Sequence, residues 1–223
     1  AIGYDALGGS IAGGEYNVAI GNYSLDALTS GDKNTGVGYN ALTNVNSGSW
    51  NTAVGHEAGK DMTTGADNTA FGLSAGAAIT TGSRNIALGG VALDNVDTEN
   101  DNLAIGYSAL GGAIAGGEYN VAIGNYSLGA LTGGDYNTAI GYNTLTGNTS
   151  GYDNTAVGHK SLYSNTTGVD NTAAGDQALS LNTTGNFNSA FGTLALLDNI
   201  SGSGNTAVGR RALENNTSSS NTG

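Results

Sequence analysis

Small and apolar residues recur along this chain at a fixed step. Residues 51–55 are N-T-A-V-G, residues 68–72 are N-T-A-F-G and residues 85–89 are N-I-A-L-G. We number positions from the glycine that closes each motif, the anchor glycine. The thirteen anchors, 17 or 18 residues apart, are Gly3, Gly21, Gly38, Gly55, Gly72, Gly89, Gly106, Gly124, Gly141, Gly158, Gly175, Gly192 and Gly209. A constant period of this kind indicates a repeat architecture.

Other columns keep their residue type on this frame. Position −2 is Ala in all but one motif, position −1 is aliphatic or Phe in all but one, and +3 is small. Position +4 is Leu except at Gly59 and Gly76, and +10 is usually Gly. Position −4 is always Asn: Asn17, Asn34, Asn51, Asn68, Asn85, Asn102, Asn120, Asn137, Asn154, Asn171, Asn188 and Asn205.

A longer period lies on top of the short one. Residues 1–40 match residues 104–143 at 33 of 40 positions. The chain is therefore interpreted as one repeat array, 1–223, with two related blocks, 1–103 and 104–206, and a partial last rung, 207–223. We expect it to be a segment of a longer fibre, because a solenoid with open ends leaves unpaired edges.

A unit of 17 residues is too short for a helix pair or a propeller blade, but it accommodates one rung of a β-solenoid with two or three short strands. The motif has the composition of a strand, and Gly at 0 and +10 is expected to supply turns with positive φ. Equivalent residues would then stack about 4.8 Å apart. The prediction is an all-β, parallel β-solenoid (β-roll) of about thirteen rungs.

Stacking gives the two most regular columns a physical reason. Asn amides in adjacent rungs can hydrogen-bond to one another along the solenoid, which predicts a structural ladder. Only a small side chain at −2 fits a narrow interior or a close approach between chains, so a larger residue there is expected to cost about 1–3 kcal/mol.

Two pairs of neighbouring columns are both apolar, namely −2 with −1 and +3 with +4. Successive residues of a strand face opposite sides, so one column of each pair should face water in a single chain. An apolar stripe of that length marks an interaction surface or an aggregation hazard. We therefore predict a homo-oligomer with threefold cyclic symmetry.

The N-T-A-V-G-x-x-A-L rungs resemble the head repeats of YadA-like trimeric autotransporter adhesins and the repeats of bacteriophage tail fibres. The resemblance covers essentially the whole chain. It implies a left-handed β-roll, a trimeric rod and a location outside the cell, on the cell surface or on a virion. The unit is somewhat longer than the usual adhesin rung, and neither a coiled-coil stalk nor a membrane anchor is present, which favours the fibre over the adhesin.

The composition of the chain argues against several classes of function. The chain has 18 acidic and 6 basic residues and a net charge of −12, so it lacks the basic clusters that bind nucleic acid or anionic membranes. No apolar stretch approaches the roughly 20 residues of a membrane span. It has no Cys, so disulfides and thiolate metal sites are excluded.

Candidate chemistry is sparse. His56 and His159 lie 103 residues apart at the same repeat position, without a visible catalytic partner, and are interpreted as solvated. The glycine-rich string 8–14 lacks the Lys and the following helix of a phosphate loop. No cofactor is predicted, and an enzyme is not expected because near-identical rungs leave no distinct pocket.

The densest acidic run offers weak metal candidates. Asp94, Asp97, Glu99 and Asp101 place hard oxygen ligands close together in sequence, as a Ca²⁺ site requires. The spacing and the glycine of an EF-hand are absent, which favours a solvated loop.

Three further columns have competing interpretations. Exposed tyrosines could bind a host-surface glycan or protein, although packing across rungs is favoured; the candidates are Tyr4, Tyr23, Tyr39, Tyr107, Tyr126 and Tyr142. The Asn-x-Ser/Thr triplets at Asn148, Asn165, Asn182, Asn199 and Asn216 could carry glycans or form a turn-stabilising ladder. Thr recurs at −3 and +8, as on ice-binding solenoids, but with interruptions.

These observations predict a structural fibre or shaft protein for adhesion or host attachment. The alternative is a ligand-binding β-solenoid that recognises ice or a glycan. A buried apolar seam between chains would favour the first function, and a flat, unbroken polar face would favour the second.

Overall fold

The computed structural model describes residues 1–9, 13–112 and 116–223, and within them the chain is an all-β parallel solenoid without helices. The described residues form twelve strands of three residues each. They are β1 Val18–Ile20, β2 Thr35–Val37, β3 Thr52–Val54, β4 Thr69–Phe71, β5 Ile86–Leu88, β6 Leu103–Ile105, β7 Val121–Ile123, β8 Thr138–Ile140, β9 Thr155–Val157, β10 Thr172–Ala174, β11 Ser189–Phe191 and β12 Thr206–Val208. The predicted fold class is confirmed.

The chain divides into two compact units, Ala1–Ala115 and Gly116–Gly223. The first contains β1–β6 and the second β7–β12. Within each unit every strand pairs in parallel with the next one along the chain, in a register of 17 residues, such as Thr52↔Thr69 and Thr155↔Thr172. Ile2 adds an isolated bridge to Ile20 in the first motif.

Each rung contains one short strand, not the two or three expected. The remaining residues turn too sharply for extended pairing, because side-chain-bearing residues at −5, +2 and +4 lie in the left-handed region. In the rung around Gly38, for example, Lys33, Asn40 and Leu42 have φ of 56°, 54° and 55°. A left-handed residue redirects the chain, so the extended segment is confined to positions −3 to −1.

The expectation that +3 and +4 would face opposite sides is wrong for the same reason. Ala41 and Leu42 are both fully buried, as are Ala109 and Leu110. Alternation holds only in an extended strand, and the left-handed Leu turns its side chain back into the interior. Only the −2 and −1 pair divides between inside and outside.

Most glycines at +10 have a different reason from the one predicted. Gly48 and its equivalents at residues 31, 65, 82, 134, 151, 168, 185 and 202 do not have positive φ, whereas Gly116 does, with a φ of 114°. A Cβ on Gly48 would lie 2.3 Å from the carbonyl oxygen of Gly65 and 3.2 Å from Nδ2 of Asn51. Glycine is needed there because adjacent rungs approach closely, not because the turn is left-handed.

The interior is made of the −2 alanines, the small +3 residues, the +4 leucines and the side chains at +7. Where Leu is missing at +4, the +7 side chain approaches the glycine: Met62 lies beside Gly59, and Ile79 lies beside Gly76. A Cβ on Gly76 would lie 3.0 Å from Cδ1 of Ile79. The two columns therefore share one volume.

This sharing predicts a compensating pair. Gly76→Leu alone is expected to destabilise the fold by about 1–3 kcal/mol through overpacking against Ile79. Ile79→Val alone is expected to cost about 0.5–1.5 kcal/mol through a cavity. The double variant should lose less stability than the sum of the two single losses, because it reproduces the combinations Leu42 with Val45 and Leu93 with Val96. Denaturant midpoints of the four proteins, followed by circular dichroism, measure the coupling, and strictly additive effects would contradict it.

Candidate functional site

The Asn column at −4 lies inside the solenoid as a continuous ladder within each unit. Asn154 shows the arrangement: its backbone N–H and Nδ2 donate to Oδ1 of Asn137 at 3.2 and 3.1 Å, and Nδ2 also donates to the Gly168 carbonyl at 2.8 Å. Its own Oδ1 accepts from the backbone N–H and Nδ2 of Asn171, both at 3.1 Å. Among the described residues no buried side-chain nitrogen or oxygen lacks a partner. The ladder is structural and offers nothing to a ligand.

A second Asn ladder runs at +7 in the second unit. Nδ2 of Asn165, Asn182 and Asn199 donates to Oδ1 of the preceding member at 3.0, 2.8 and 3.3 Å. These residues and Asn148 are fully buried, whereas Asn216 is half-buried. The same position in the first unit is apolar: Leu28, Val45, Met62, Ile79 and Val96. Of the two interpretations of these triplets, the structure shows the ladder.

The candidate tyrosines form columns of rings on the surface. In the first unit Tyr4, Tyr23, Tyr39 and His56 follow one another with centroid distances of 5.4, 6.0 and 5.1 Å. In the second unit Tyr126, Tyr142 and His159 follow at 6.0 and 5.9 Å. Five of the six candidates are exposed and Tyr23 is half-buried; Tyr107 is among the exposed ones. The rings pack on one another across rungs, while their outer edges face solvent.

Another column of aromatic residues lies at −5, and no function was predicted for it from the sequence. Tyr119 and Tyr136 stack with centroids 5.1 Å apart and an interplanar angle of 4°. In the first unit Nζ of Lys33 lies 5.1 Å from the Trp50 ring centroid, a cation–π contact. The left-handed φ at this position turns the side chains outward, which the repeat pattern alone did not reveal.

The four acidic metal candidates are held by different partners. Asp101 forms a two-point ion pair with Arg84, both distances being 2.7 Å, and the hydrogen bonds from Arg84 lower the pKa of Asp101. Glu99 accepts from the backbone N–H of Asp97 and Thr98 at 3.1 and 3.0 Å, and the Asp97 carboxylate accepts from the Thr80 hydroxyl.

The fourth candidate, Asp94, is partly buried, and this burial raises the pKa of its carboxyl group. Three or more potential ligands do not meet anywhere in the described part of the chain. The acidic segment therefore gives no support to a metal site.

The two histidines lie on open surface. His56 stacks on Tyr39, and Nδ1 of His159 lies 2.7 Å from Oδ1 of Asp176, whose pKa is lowered by this hydrogen bond. Both partners of that pair are nearly half exposed, so water screens the interaction. The described surface contains no pocket around them or elsewhere. In the glycine-rich string 8–14, residues 10–12 lie outside the described residues.

The threonines of the +8 column are used internally. The hydroxyls of Thr149, Thr166 and Thr183 each donate to the backbone carbonyl of the next rung at 3.0 Å. The threonines at −3 face outward, but Ile86, Leu103 and Val121 replace them in the middle of the chain. Neither column is an uninterrupted array of free hydroxyls.

In each unit one surface is distinct in character, the outward strand face, which we define as positions −3 and −1 of β1–β6 in the first unit and of β7–β12 in the second. In every strand the middle residue is buried and the two flanking residues are exposed or half-exposed. Position −3 carries Thr, Ser or an aliphatic residue, and −1 carries an aliphatic residue, Phe or Ala. No position of this face is charged. The exposed apolar members are Val18, Ile20, Phe71, Ile86, Ile140, Val157, Phe191 and Val208.

No family model, curated protein or solved structure matches this chain. The described residues include no helix with the length and hydrophobicity that a bilayer crossing requires. The outward strand face is thus the main candidate for function.

Proposed function

We propose that this chain is a structural element of a fibre for adhesion or host attachment, on a cell surface or a virion, and that it assembles with copies of itself through the outward strand face. The observation that carries the proposal is an uncharged, largely apolar sheet face in a protein with a net charge of −12.

The exposure of this face argues for a covering partner. The −1 side chains Phe71, Val157 and Val208 are 57%, 40% and 66% exposed, although residues of this type are normally buried. Burying apolar surface contributes about 25 cal/mol per Å², and the contribution grows with every rung because the face repeats. A contiguous apolar stripe rimmed by polar residues is typical of a protein interaction site.

The distribution of charge favours an assembly in which the outward strand face of one copy contacts the outward strand face of another. The 18 acidic residues lie on other positions of the rungs, so copies that approached by those surfaces would repel one another. The outward strand face escapes this repulsion, and two copies have the same rung period, so their side chains can interdigitate in step. Threefold cyclic symmetry places one such face from each chain around a common axis.

The interior suits a mechanical role. Within each unit, each rung is joined to the next by backbone pairing and by buried Asn amides, and the described surface has no pocket for catalysis. Tyr4, Tyr39 and Tyr142 are exposed on another side of the rungs and are the residues to test for contact with a host-surface glycan.

Sedimentation equilibrium tests the assembly directly. We expect a mass close to three times the 22.0 kDa of the monomer. The double variant Ile140→Glu with Val157→Glu puts two charges on the outward strand face and should lower the mass to that of the monomer without loss of the β-sheet circular dichroism spectrum, because a carboxylate would have to be desolvated in the interface.

A matched control carries the same charge elsewhere. Leu181→Glu with Ile200→Glu alters two exposed apolar residues that lie outside the strands, and it should remain a trimer. A monomeric wild-type chain would overturn the proposal. It would leave the Thr and aliphatic face open to solvent and place the ligand-binding alternative ahead.

A further inference from the structure

Six of the Asn-x-Ser/Thr triplets of this chain fall into two structural classes; the other two begin at Asn215, which is exposed, and at Asn216, which is half-buried. Asn148, Asn165, Asn182 and Asn199, which we call the core sequons, have side chains that are fully buried. By contrast, Asn22 and Asn125 also begin Asn-x-Ser triplets, occupy equivalent positions in the two blocks and are exposed. The sequence motif is the same, so only the fold distinguishes the two classes.

The atom that would carry an N-linked glycan is occupied in the core sequons. Nδ2 of Asn165 donates to Oδ1 of Asn148 and to the carbonyl of Gly168, both at 3.0 Å. Nδ2 of Asn182 does the same toward Asn165 at 2.8 Å and Gly185 at 3.0 Å. Glycosylation replaces one hydrogen of this amide by a sugar, so at least one of the two bonds must be lost.

The space around these amides is also closed. A Cβ on Gly168 would lie 2.3 Å from Oδ1 of Asn165 and 2.9 Å from Nδ2 of Asn182, so not even a methyl group fits beside them. A glycan is bulky and must reach solvent. It cannot leave a fully buried amide without opening the rungs on both sides.

The exposed sequons lie at the surface of the rungs. Oδ1 of Asn22 accepts a hydrogen bond from the backbone N–H of Tyr4 at 3.0 Å, and the side chain lies at the surface. A glycan on Asn22 or Asn125 would project into water. These two residues therefore serve as internal positive controls.

From this geometry we infer that an N-glycan on a core sequon and the folded state exclude each other, and that the chain folds productively only where N-glycan transfer does not act on it. Glycan transfer takes place on the newly made chain, before burial can protect an Asn. A eukaryotic secretory route would thus modify the core sequons and trap the chain unfolded. This inference does not rest on the proposed assembly.

The experiment compares secretion of three proteins from a eukaryotic cell. The first is the wild-type chain. The second carries Ser150→Ala, Thr167→Ala, Thr184→Ala and Ser201→Ala, which removes the core sequons at exposed positions and leaves every ladder amide in place. The third is the matched control, with the same exchanges in rungs without core sequons: Ser30→Ala, Ser47→Ala, Thr64→Ala and Thr81→Ala.

The readouts are the yield of protease-resistant secreted protein and its glycan sites by mass spectrometry. We expect the sequon-removal variant to yield at least about tenfold more folded protein than the wild type, and the control variant to behave like the wild type. All three proteins made in the bacterial cytoplasm should fold alike.

Two results would overturn the inference. Folded wild-type protein with a glycan on Asn148, Asn165, Asn182 or Asn199 would show that modification and fold are compatible. Equal secreted yields of wild type and sequon-removal variant would show that folding protects the core sequons from transfer. Glycans confined to the exposed sequons in folded material, with a low wild-type yield, would support it.

Discussion

Gly89→Ala is expected to lower the free energy of unfolding by at least about 3 kcal/mol, whereas Gly90→Ala should leave it almost unchanged. Gly89 is an anchor glycine with a φ of 137°, a conformation that residues with a Cβ rarely adopt. A Cβ there would lie 2.5 Å from the carbonyl oxygen of Gly106, and backbone atoms cannot yield as a side chain can. The anchor glycine is therefore needed both for its φ and for the close approach of the next rung.

Gly90 is the adjacent control. It has no positive φ, and a Cβ would first meet the Tyr107 ring at 3.5 Å, an ordinary van der Waals distance. Denaturant midpoints of both variants, measured by circular dichroism, test the difference. Equal midpoints would mean that the rung spacing relaxes to accept a methyl group, and the account of the anchor would then be wrong.

Asn154→Leu has the second largest expected effect, a loss of about 3–5 kcal/mol. Leucine has nearly the same size but cannot bond to the Gly168 carbonyl or to the backbone N–H of Asn171, and both groups lie away from water. A buried polar group without a partner costs about 1–3 kcal/mol, and this substitution leaves several such groups without a hydrogen bond.

Asn46→Leu provides the comparison for that substitution. Asn46 is exposed at +8, where another rung already carries Ile200, so the exchange should change the unfolding free energy by less than about 0.5 kcal/mol. Thermal unfolding of the two variants separates the effect of the ladder from a general intolerance of leucine. A similar loss of stability in both would exclude a specific role for the ladder.

The repeat motif was sufficient to predict the strands and their pairing. N-T-A-V-G at a step of 17 residues requires each rung to bond to an equivalent one, and the register Thr52↔Thr69 follows directly from that step. The Asn column could be assigned to a hydrogen-bonded ladder, and the Ala column to the interior or to a close approach between chains, because stacking requires satisfied amides and small side chains. Their burial in the structure agrees with that reasoning.

The sequence could not show the conformation of the turns. Nothing in Leu42 or Lys33 as residue types indicates a left-handed φ, since both normally avoid it. For that reason the number of strands in each rung, the opposite orientation expected for the +3 and +4 residues and the reason for most of the +10 glycines were predicted incorrectly. The clustering of the acidic residues in sequence was equally uninformative, because the partners of Asp101 and Asp97 come from the previous rung.

The amino-acid sequence by itself determined the period, the parallel pairing, the asparagine ladder and the absence of clustered basic charge, because each depends on which residue types recur at equal spacing. The tertiary structure alone decided which columns face water. Side-chain direction depends on the backbone angles of the turns, and at the left-handed residues the backbone N–H donates to a carbonyl of a neighbouring rung, as Lys33 does to Glu15 and Leu42 to Ala58. The outward strand face and the burial of the core sequons, the two features on which the proposals rest, became visible only at that level.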